Sequence, residues 1–269
     1  MALAIVVVTW NARDAAARCL AALAAAPPAE PHEIVVVDNA STDGLPAMVR
    51  ERFPAARLVE TGANLGFAAG VNRGIRETTG QLILLLNPDT VAPPGAVDAL
   101  VHRLRARPDV AAIGPRIVDP GGRPEWSWGH DLTPLAEARR RLLEAAAERG
   151  VPGARARLRR LTSAEREVDW VTGACLLVRR ADAERAGGLD QGYFLYCEDA
   201  DLCRALRARG RRVLFSPVAT VVHHRGRSAE VSAGRARAAW QASRLRYYGR
   251  HAPQWLPLLR LWLRARRGA

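Results

Sequence analysis

The stretch Leu82-Ile83-Leu84-Leu85-Leu86-Asn87-Pro88-Asp89-Thr90 decides the fold. Five consecutive apolar residues are typical of a strand buried on both faces, as in a parallel sheet. Pro88 cannot continue a central strand, so the strand ends there and Asp89 lies on a short loop. Ligands of open α/β sheets bind at the carboxyl ends of the strands, where a carboxylate suits a divalent cation. The alternative is that Asn-Pro-Asp is only a turn, since all three residue types are common in turns.

Three earlier segments repeat this order of apolar strand, polar residues and helix. The predicted strands are Leu3 to Val8, Glu33 to Val37 and Arg57 to Glu60, and the predicted helices are Arg13 to Ala26, Ser41 to Phe53 and Gly66 to Thr79. Strands that alternate with helices indicate right-handed βαβ units and a parallel sheet. The polar residues at the strand ends then share one edge of the sheet: Thr9, Asn11, Asp38, Asn39, Asn64, Asn87 and Asp89. The pattern predicts a site for a polar ligand and a metal ion.

The first strand is not followed by a GxGxxG fingerprint, which argues against an ordinary nicotinamide or flavin enzyme. A further helix is predicted from Gly95 to Arg107 and a strand from Val110 to Gly114. An arginine-rich helical segment, roughly Leu135 to Leu161, then breaks the pattern. We interpret it as a mobile or partner-facing insertion, with a solvated charged helix as the alternative.

The composition favours anionic partners. The 269 residues carry 40 basic and 27 acidic side chains, a formal charge of +13, and every basic residue is arginine. Part of that arginine content reflects coding bias; the remainder favours nucleotide phosphates, anionic lipid or nucleic acid. The four cysteines have no disulfide or zinc spacing, so we expect reduced thiols in a cytosolic protein. We identify no secretory signal and no apolar run of about 20 residues that would span a bilayer.

Three acids begin the predicted helix from Asp199 to Arg209, in the sequence Glu198-Asp199-Ala200-Asp201. Acids stabilise a helix N-terminus, which is one explanation for them. The preceding Tyr193-Phe194-Leu195-Tyr196 is aromatic and apolar, and a carboxylate in such surroundings has the raised pKa of a general base. His223 follows a short predicted strand, Thr220 to Val222, and is either structural or a ligand. A second short strand is predicted from Val213 to Phe215.

Seven motifs occur in order at sensible spacing. They are Val8-Thr9-Trp10-Asn11, Val37-Asp38-Asn39-Ala40-Ser41-x-Asp43-Gly44, Asn64-Leu65-Gly66-Phe67-Ala68-Ala69-Gly70-Val71-Asn72-Arg73-Gly74, Asn87-Pro88-Asp89, Thr172-Gly173, Glu198-Asp199-Ala200-Asp201-Leu202 and His223-x-x-Gly226-x-Ser228. Together they resemble the GT-A glycosyltransferases of family 2, within them the bacterial rhamnosyltransferase-like branch. The resemblance runs from about residue 3 to residue 250. It implies an α/β fold of the GT-A type: a Rossmann-like, mainly parallel central sheet flanked by helices, with a helical C-terminal tail.

The resemblance implies a role for each matched residue. Asp199 would be the general base, with Glu198 and Asp201 orienting it or the acceptor. Asp89 and His223 would bind Mg²⁺ or Mn²⁺. Many relatives have Asp-x-Asp where this chain has Asn87-Pro88-Asp89, so the ion would meet one charge fewer. The nucleotide sugar would contact Thr9, Asn11, Asp38, Asn39, Asn64, Gly66, Asn72 and Asn87, and Trp170, Thr172 and Gly173 would line the acceptor side.

The implied reaction is an inverting, metal-assisted transfer. The expected donor is a nucleoside diphosphate sugar, dTDP-rhamnose first and a UDP-sugar second, and the acceptor is a glycan or a lipid-linked glycan. A catalytic domain would occupy residues 1–230, with a nucleotide-binding half of about 1–115 and an acceptor-side half of about 116–230. Residues 231–269 would form a helical, basic and aromatic extension.

The extension has two interpretations. The segment from Trp255 to Arg264 is amphipathic and cationic, so it binds either an anionic membrane or the core of the protein itself. The expected location is the cytoplasm, at the inner face of the plasma membrane if the extension binds lipid. Two other functions stay open from sequence alone: a nucleic-acid-binding protein, although we expect no nucleic-acid partner, and an inactive sugar-nucleotide scaffold, suggested by Asn87.

Overall fold

Four parallel strands form one half of the central sheet. The structure, a computed structural model, describes residues 2–224 and 233–265, so Gly226 and Ser228 lie outside the described residues. Across the sheet the strands stand in the order Arg57–Glu60, His32–Asp38, Leu3–Thr9 and Leu82–Leu86. Their bounds are β1 Leu3–Thr9, β2 His32–Asp38, β3 Arg57–Glu60 and β4 Leu82–Leu86, and the connecting helices are α1 Arg13–Ala25, α2 Leu45–Arg52 and α3 Phe67–Arg76. Thr9 pairs with Asp38, so these polar ends share one edge, as the sequence predicts.

The other half of the sheet is mixed. It continues from β4 through β11 (Cys175–Arg179), β6 (Val110–Val118), β12 (Arg212–His223) and β5 (Thr90–Val91), with β7 (Pro124–Glu125) and β9 (Arg166–Val168) at its margins. Strand β11 is antiparallel to both β4 and β6, whereas β12 runs parallel to β6. The two short strands predicted near residues 213–222 are a single strand, β12, whose register shifts between Ser216 and Thr220.

Helices and a small second sheet cover the mixed half. The second sheet pairs β8 (Trp128–Gly129) with β10 (Trp170–Val171). The helices are α4 Ala96–Arg105, α5 Pro134–Glu148, α6 Ala154–Leu161, α7 Arg180–Arg185, α8 Glu198–Arg207, α9 Ala233–His251 and α10 Leu256–Ala265, the last preceded by a 3₁₀ turn, Pro253–Trp255. Helix α5 buries Glu137 and Ala147, so the arginine-rich segment packs on the protein and is not a wholly solvated helix.

Strand residues alternate between two cores, one on each face of the sheet. Leu3, Ile5 and Val7 pack on one face, in the same cluster as the buried residues of α4. Val6 and Val8 pack on the other face, in a cluster that also contains Tyr247 and Tyr248 of α9 and Leu259 and Leu263 of α10. The C-terminal helices therefore bury side chains in the main core. Within the described residues, every helix is too short or too polar to cross a lipid bilayer.

Candidate active site

The ends of β1 and β2 hold each other in place. The hydroxyl of Thr9 lies 3.4 Å from a carboxylate oxygen of Asp38, and the backbone N–H of Asn39 donates to the carbonyl of Thr9 at 2.8 Å. The other oxygen of Asp38 accepts from the N–H of Ser41 at 3.1 Å. Thr9, Asp38 and Asn39 are all at most 2% exposed. Their side chains hold the loops that follow β1 and β2. The nucleotide contacts implied by the resemblance remain predictions.

The loops that follow β1 and β2 adopt unusual backbone conformations. Asn11 has φ 48° and Ala40 has φ 62°, in the left-handed region that non-glycine residues seldom occupy. The Asn11 side chain accepts from the N–H of Thr42 at 2.7 Å, and its own N–H donates to the hydroxyl of Ser41 at 2.8 Å. Such conformations persist only where neighbours enforce them, and they cluster at binding sites.

Gly66 joins the β3–α3 loop to the segment that precedes Glu198. Its N–H donates to the Asn64 side chain at 3.0 Å, and its carbonyl accepts from the Asn39 amide at 3.0 Å. Its φ is +85°, and a Cβ at this position would lie 2.5 Å from the carbonyl oxygen of Phe194. Only glycine fits here, because both the backbone conformation and the close approach exclude a side chain.

Asn72 has a structural role that the resemblance does not imply. Its amide oxygen accepts from the N–H of Leu189 at 3.0 Å, and its amide nitrogen donates to the Leu189 carbonyl at 2.7 Å. The side chain is buried in helix α3. Because both ends of the amide bind one backbone residue, the geometry argues against the predicted contact with the nucleotide, and we omit Asn72 from the proposed site.

Asp89 and His223 meet at the end of β4 and β12. A carboxylate oxygen of Asp89 lies 3.2 Å from Nε2 of His223, and Nδ1 of His223 lies 3.2 Å from Oε2 of Glu125. Burial alone would lower the pKa of His223, but hydrogen bonds to Asp89 and Glu125 raise it to about 9. Glu125 is not among the residues predicted from the sequence. The glycine-rich turn before it, which returns the chain antiparallel to β6, was the available signal.

The donor atoms of this group fit a divalent cation. A metal-binding histidine commonly directs its second ring nitrogen to a carboxylate, which fixes the ring for coordination, and Glu125 stands in that position. Asn87 is half-buried on the same loop and brings no charge. In residues 2–224 and 233–265, His, Cys, Asp and Glu form no group of three or more that could hold a metal ion. An ion here would therefore need oxygen ligands from a bound substrate as well.

Asp199 lies in the first turn of helix α8, and its carboxylate is held by two backbone amides. Gly173 N–H donates to it at 2.8 Å and Ala200 N–H at 2.7 Å. Burial raises the pKa of Asp199, and these two hydrogen bonds oppose the rise. Tyr196 (φ 72°) and Cys197 (φ 69°) precede the helix in consecutive left-handed conformations. Non-glycine residues pay a steric cost there, which is typical of a loop built to hold a functional side chain.

A short path of hydrogen bonds joins the two groups of residues. The N–H of Asn87, two residues before Asp89, donates to the carbonyl of Ala174 at 2.9 Å. The preceding residue, Gly173, donates to Asp199. The ends of β4 and β11 are thus adjacent, and the candidate metal ligands and the candidate base lie at the same end of the sheet.

Glu198 is buried beside Asp199. It is 4% exposed, and its Oε2 has no hydrogen-bond partner in the described part of the chain. Burial first, and then the neighbouring Asp199, hold the pKa of Glu198 well above its usual range. The predicted role of Glu198, orienting Asp199 or the acceptor, stays a prediction.

Trp170, in strand β10, and Thr172, just after that strand, precede Gly173 in the chain. The indole N–H of Trp170 donates to the carbonyl of His130 at 2.9 Å. The backbone N–H of Thr172 donates to the carbonyl of Ser127 at 2.9 Å. Both contacts bind this segment to the residues on either side of the strand Trp128–Gly129, and Gly173 is the member of the segment that contacts Asp199.

Asp201, predicted to orient the base or the acceptor, lies on the other side of α8 from Asp199, and its carboxylate contacts Tyr193 and His251. Two residues on a helix are separated by about 200° around the axis. Asp201 accepts from the hydroxyl of Tyr193 at 3.1 Å and lies 2.5 Å from Nε2 of His251. It is 6% exposed. Its role in this structure is to fasten α9 to α8.

We expect Asp201→Ala to lower the free energy of unfolding by about 2–4 kcal/mol, because it leaves the Tyr193 hydroxyl and the His251 ring buried without their partner. For a chain of this size that corresponds to a melting temperature lower by roughly 5–15 °C. Differential scanning calorimetry measures it, with Asp14→Ala on the exposed side of α1 as the control. An unchanged melting temperature would contradict the assigned contact.

Comparisons with known proteins identify the family of this chain. The profile described as Glycosyl transferase family 2 matches residues 4–165. The N-acetylglucosaminyl-diphospho-decaprenol L-rhamnosyltransferase of Mycobacterium tuberculosis is 35% identical over 237 residues, which is 84% of this chain and 77% of that protein. The rhamnosyltransferase WbbL of Escherichia coli is 47% identical over 57 residues, 21% of this chain and 22% of WbbL.

Solved structures show the same fold. The mannosyltransferase PcManGT from Pyrobaculum calidifontis, in complex with GDP-Man and Mn²⁺, superimposes with a TM-score of 0.60 at 22% identity, covering 96% of this chain and 68% of that chain. Residues 1–349 of S. aureus TarS superimpose with a TM-score of 0.60 at 14% identity, covering 92% and 64%. The predicted GT-A fold is confirmed. The chain therefore belongs to glycosyl transferase family 2, in its rhamnosyltransferase-like branch, and is a glycosyltransferase.

Proposed function

We propose that this protein transfers a sugar, in the first instance rhamnose, from a nucleoside diphosphate donor to a hydroxyl of a lipid-linked glycan, with inversion at the anomeric carbon. The observation that carries the proposal is the Asp199 carboxylate, held by Gly173 N–H at the same sheet edge as Asp89 and His223. The similarity to an enzyme named for rhamnosyl transfer to a diphospho-decaprenol acceptor supports the choice of sugar and acceptor.

Asp199 acts as the general base. Its carboxylate accepts the proton of the acceptor hydroxyl as the hydroxyl oxygen attacks the anomeric carbon from the face opposite the leaving group. The bond from that carbon to the donor diphosphate breaks, and the nucleoside diphosphate leaves with the electron pair. The raised pKa of Asp199 brings its basicity closer to working pH, which favours proton transfer. A single displacement needs no protein nucleophile.

Asp89 and His223 would hold a Mg²⁺ or Mn²⁺ ion, and Glu125 fixes the histidine ring. When bound, such an ion stabilises the charge that develops on the leaving diphosphate. Asn39, Asn64 and Gly66 shape the adjoining loop for the nucleotide, with Thr9, Asn11 and Asp38 at the neighbouring strand ends. We propose dTDP or UDP as the nucleotide.

The test of this function is metal-dependent donor binding followed by transfer. We expect dTDP or UDP with Mn²⁺ or Mg²⁺ to raise the melting temperature, since a ligand at 100 times its Kd stabilises a protein by about 2.7 kcal/mol. Transfer is then measured with dTDP-rhamnose and UDP-sugars on a diphosphate-linked N-acetylglucosamine acceptor. Protection by neither nucleotide would refute the proposal, and transfer or donor hydrolysis would exclude an inactive scaffold.

We further propose that the outer face of α10 binds an anionic membrane. Leu259 and Leu263 of this helix are buried, whereas Leu258 and Leu261 are 48% and 66% exposed. The exposed face also carries Arg260 and Arg264. Helix α5, which also carries the exposed Leu135 and Leu142, contacts α10 where the Arg141 guanidinium lies 5.5 Å from the ring centre of Trp262. Exposed leucines interspersed with arginines suit the interface of an anionic bilayer.

We expect Leu258→Ser with Leu261→Ser to weaken binding to phosphatidylglycerol vesicles by about tenfold or more, because burial of each leucine contributes about 1.5–3 kcal/mol when complete. Vesicle co-sedimentation measures this, with Val218→Ser, a change at a half-exposed residue of β12, as the control. Equal binding of the double variant and the wild type would rule out this face as the membrane contact. Equal binding to neutral phosphatidylcholine vesicles would rule out the charge contribution.

A further inference from the structure

A cavity of about 430 Å³ lies between the second sheet and the helices α5 and α6. Three tryptophans and four arginines contribute to its lining. The Arg166 guanidinium stacks 4.6 Å above the ring centre of Trp128, and the Arg140 guanidinium lies 5.6 Å from that of Trp170. The volume lies within the range of small-molecule binding sites. Neither the nucleotide loops nor the candidate metal ligands contribute to this cavity.

The carboxylates of the cavity are neutralised by arginines from outside it. Asp131 pairs with Arg204 and Arg207 of α8, and Glu137 pairs with Arg244 of α9. By contrast, within residues 2–224 and 233–265 no carboxylate forms an ion pair with the four lining arginines, Arg139, Arg140, Arg157 and Arg166. The cavity therefore has a surplus of positive charge beside aromatic rings. Such a combination suits a ligand that joins an anionic group to a sugar ring or an apolar chain.

The cavity is connected to Asp199 by strand β10. Trp170 lies in the cavity wall, and Gly173, three residues later, donates to the Asp199 carboxylate. Three residues of extended chain span about 10 Å. Burial raises the pKa of Asp199, and the charge of Arg140 is one of the influences that oppose the rise, so this arginine acts on both the cavity and the base. The cavity wall at Trp170 is therefore close enough to Asp199 for one extended acceptor to reach both.

We propose that the cavity binds the diphosphate of a diphosphate-linked sugar acceptor. This inference rests on the proposed function, since it assumes a hydroxyl acceptor at Asp199. Arg140, Arg157 and Arg166 bind the phosphate oxygens, and the rings of Trp128 and Trp170 pack against the acceptor sugar and the first carbons of its lipid. The acceptor is then recognised by the charge next to its sugar, and a neutral glycoside of the same sugar is a poor substrate.

The kinetic test compares two acceptors, N-acetylglucosamine joined through diphosphate to a farnesyl chain and N-acetylglucosamine octyl glycoside. We expect Arg157→Gln with Arg166→Gln to raise KM for the diphosphate acceptor at least about tenfold, and KM for the octyl glycoside less than about twofold. The matched control, Arg149→Gln with Arg159→Gln, removes two exposed charges from α6 and the residue after α5, outside the cavity. Equal effects of the two double variants, or equal effects on the two acceptors, would overturn the proposal.

A binding measurement separates this proposal from the proposed function. Three of the seven tryptophans line the cavity, so the diphosphate acceptor alone, without donor, should change the intrinsic fluorescence saturably. We expect the Arg157 and Arg166 double variant to weaken that titration at least about tenfold relative to its control. Saturable binding without transfer from any donor would refute the proposed function and support the cavity. Transfer without a fluorescence change, or inorganic pyrophosphate binding as tightly as the full acceptor, would overturn the acceptor assignment.

Discussion

Replacing Asp199 with Asn is expected to lower kcat by about 10²–10⁴-fold, the contribution of a positioned general base. An amide has nearly the same shape as a carboxylate but does not accept the proton of the acceptor hydroxyl. The amide oxygen can keep the hydrogen bond from Gly173, whereas the amide nitrogen cannot accept the one from Ala200, so the contact with Gly173 should persist. We expect the Kd for the nucleoside diphosphate, measured calorimetrically with Mn²⁺, to change by less than about twofold.

The control is Asp201→Asn, which removes a carboxylate from the same turn of α8. Because Asp201 contacts Tyr193 and His251 and not Asp199, this change should lower the melting temperature while the folded enzyme retains most of its kcat. A loss of nucleotide binding in Asp199→Asn with transfer intact would refute the assignment of the base. So would equal losses of kcat in the two variants at a temperature where both are folded.

The pH profile gives a second measurement of the same group. Burial raises the pKa of Asp199 above the usual aspartate range, so kcat/KM should begin to fall at a pH higher than an exposed aspartate would give. The sign follows from the chemistry, because the protonated carboxyl is not a base and activity is lost as the pH falls through this pKa. The residual activity of Asp199→Asn should not show this fall in kcat/KM at low pH.

Local patterns were sufficient to predict the parallel half of the sheet and much of its edge. Apolar runs that end in Thr9, Asp38 and Asp89 indicate where strands stop, and parallel pairing brings those ends together. The contact between Asp89 and His223 is between residues that are far apart in sequence. The family motifs imply this contact, whereas strand periodicity alone leaves His223 with a structural alternative.

The contacts that sequence reasoning did not anticipate are those whose partners lie elsewhere in the chain. Glu125 reaches His223 from a strand of two residues, too short to give an alternation pattern. Asn72 lies within a motif, but its amide binds the backbone of Leu189, more than a hundred residues later. The position of Asp201 could have been predicted from helical periodicity. It comes two residues after Asp199, so it faces the opposite side of α8, where α9 packs.

Asp89→Asn is expected to weaken metal-dependent donor binding by about a hundredfold and to lower kcat/KM by roughly 10³-fold, since stabilisation of the leaving diphosphate contributes several kcal/mol. The effect should be large because the preceding position of the motif, Asn87, already lacks a charge. Glu125→Gln should have a smaller effect, about 10–100-fold on metal affinity, because it acts only through the orientation of His223.

Titration of Mn²⁺ in the presence of dTDP or UDP measures the metal affinities of the two variants. Asp14→Asn, on the exposed face of α1, is the charge-matched control. Removal of the metal with EDTA should reduce the wild type to the level of Asp89→Asn, because both changes eliminate the same interaction with the diphosphate. If Asp89→Asn binds the nucleotide and Mn²⁺ as tightly as the wild type, the ion is held by other residues. If Glu125→Gln is more damaging than Asp89→Asn, Glu125 is itself a ligand and the roles of the two carboxylates are reversed.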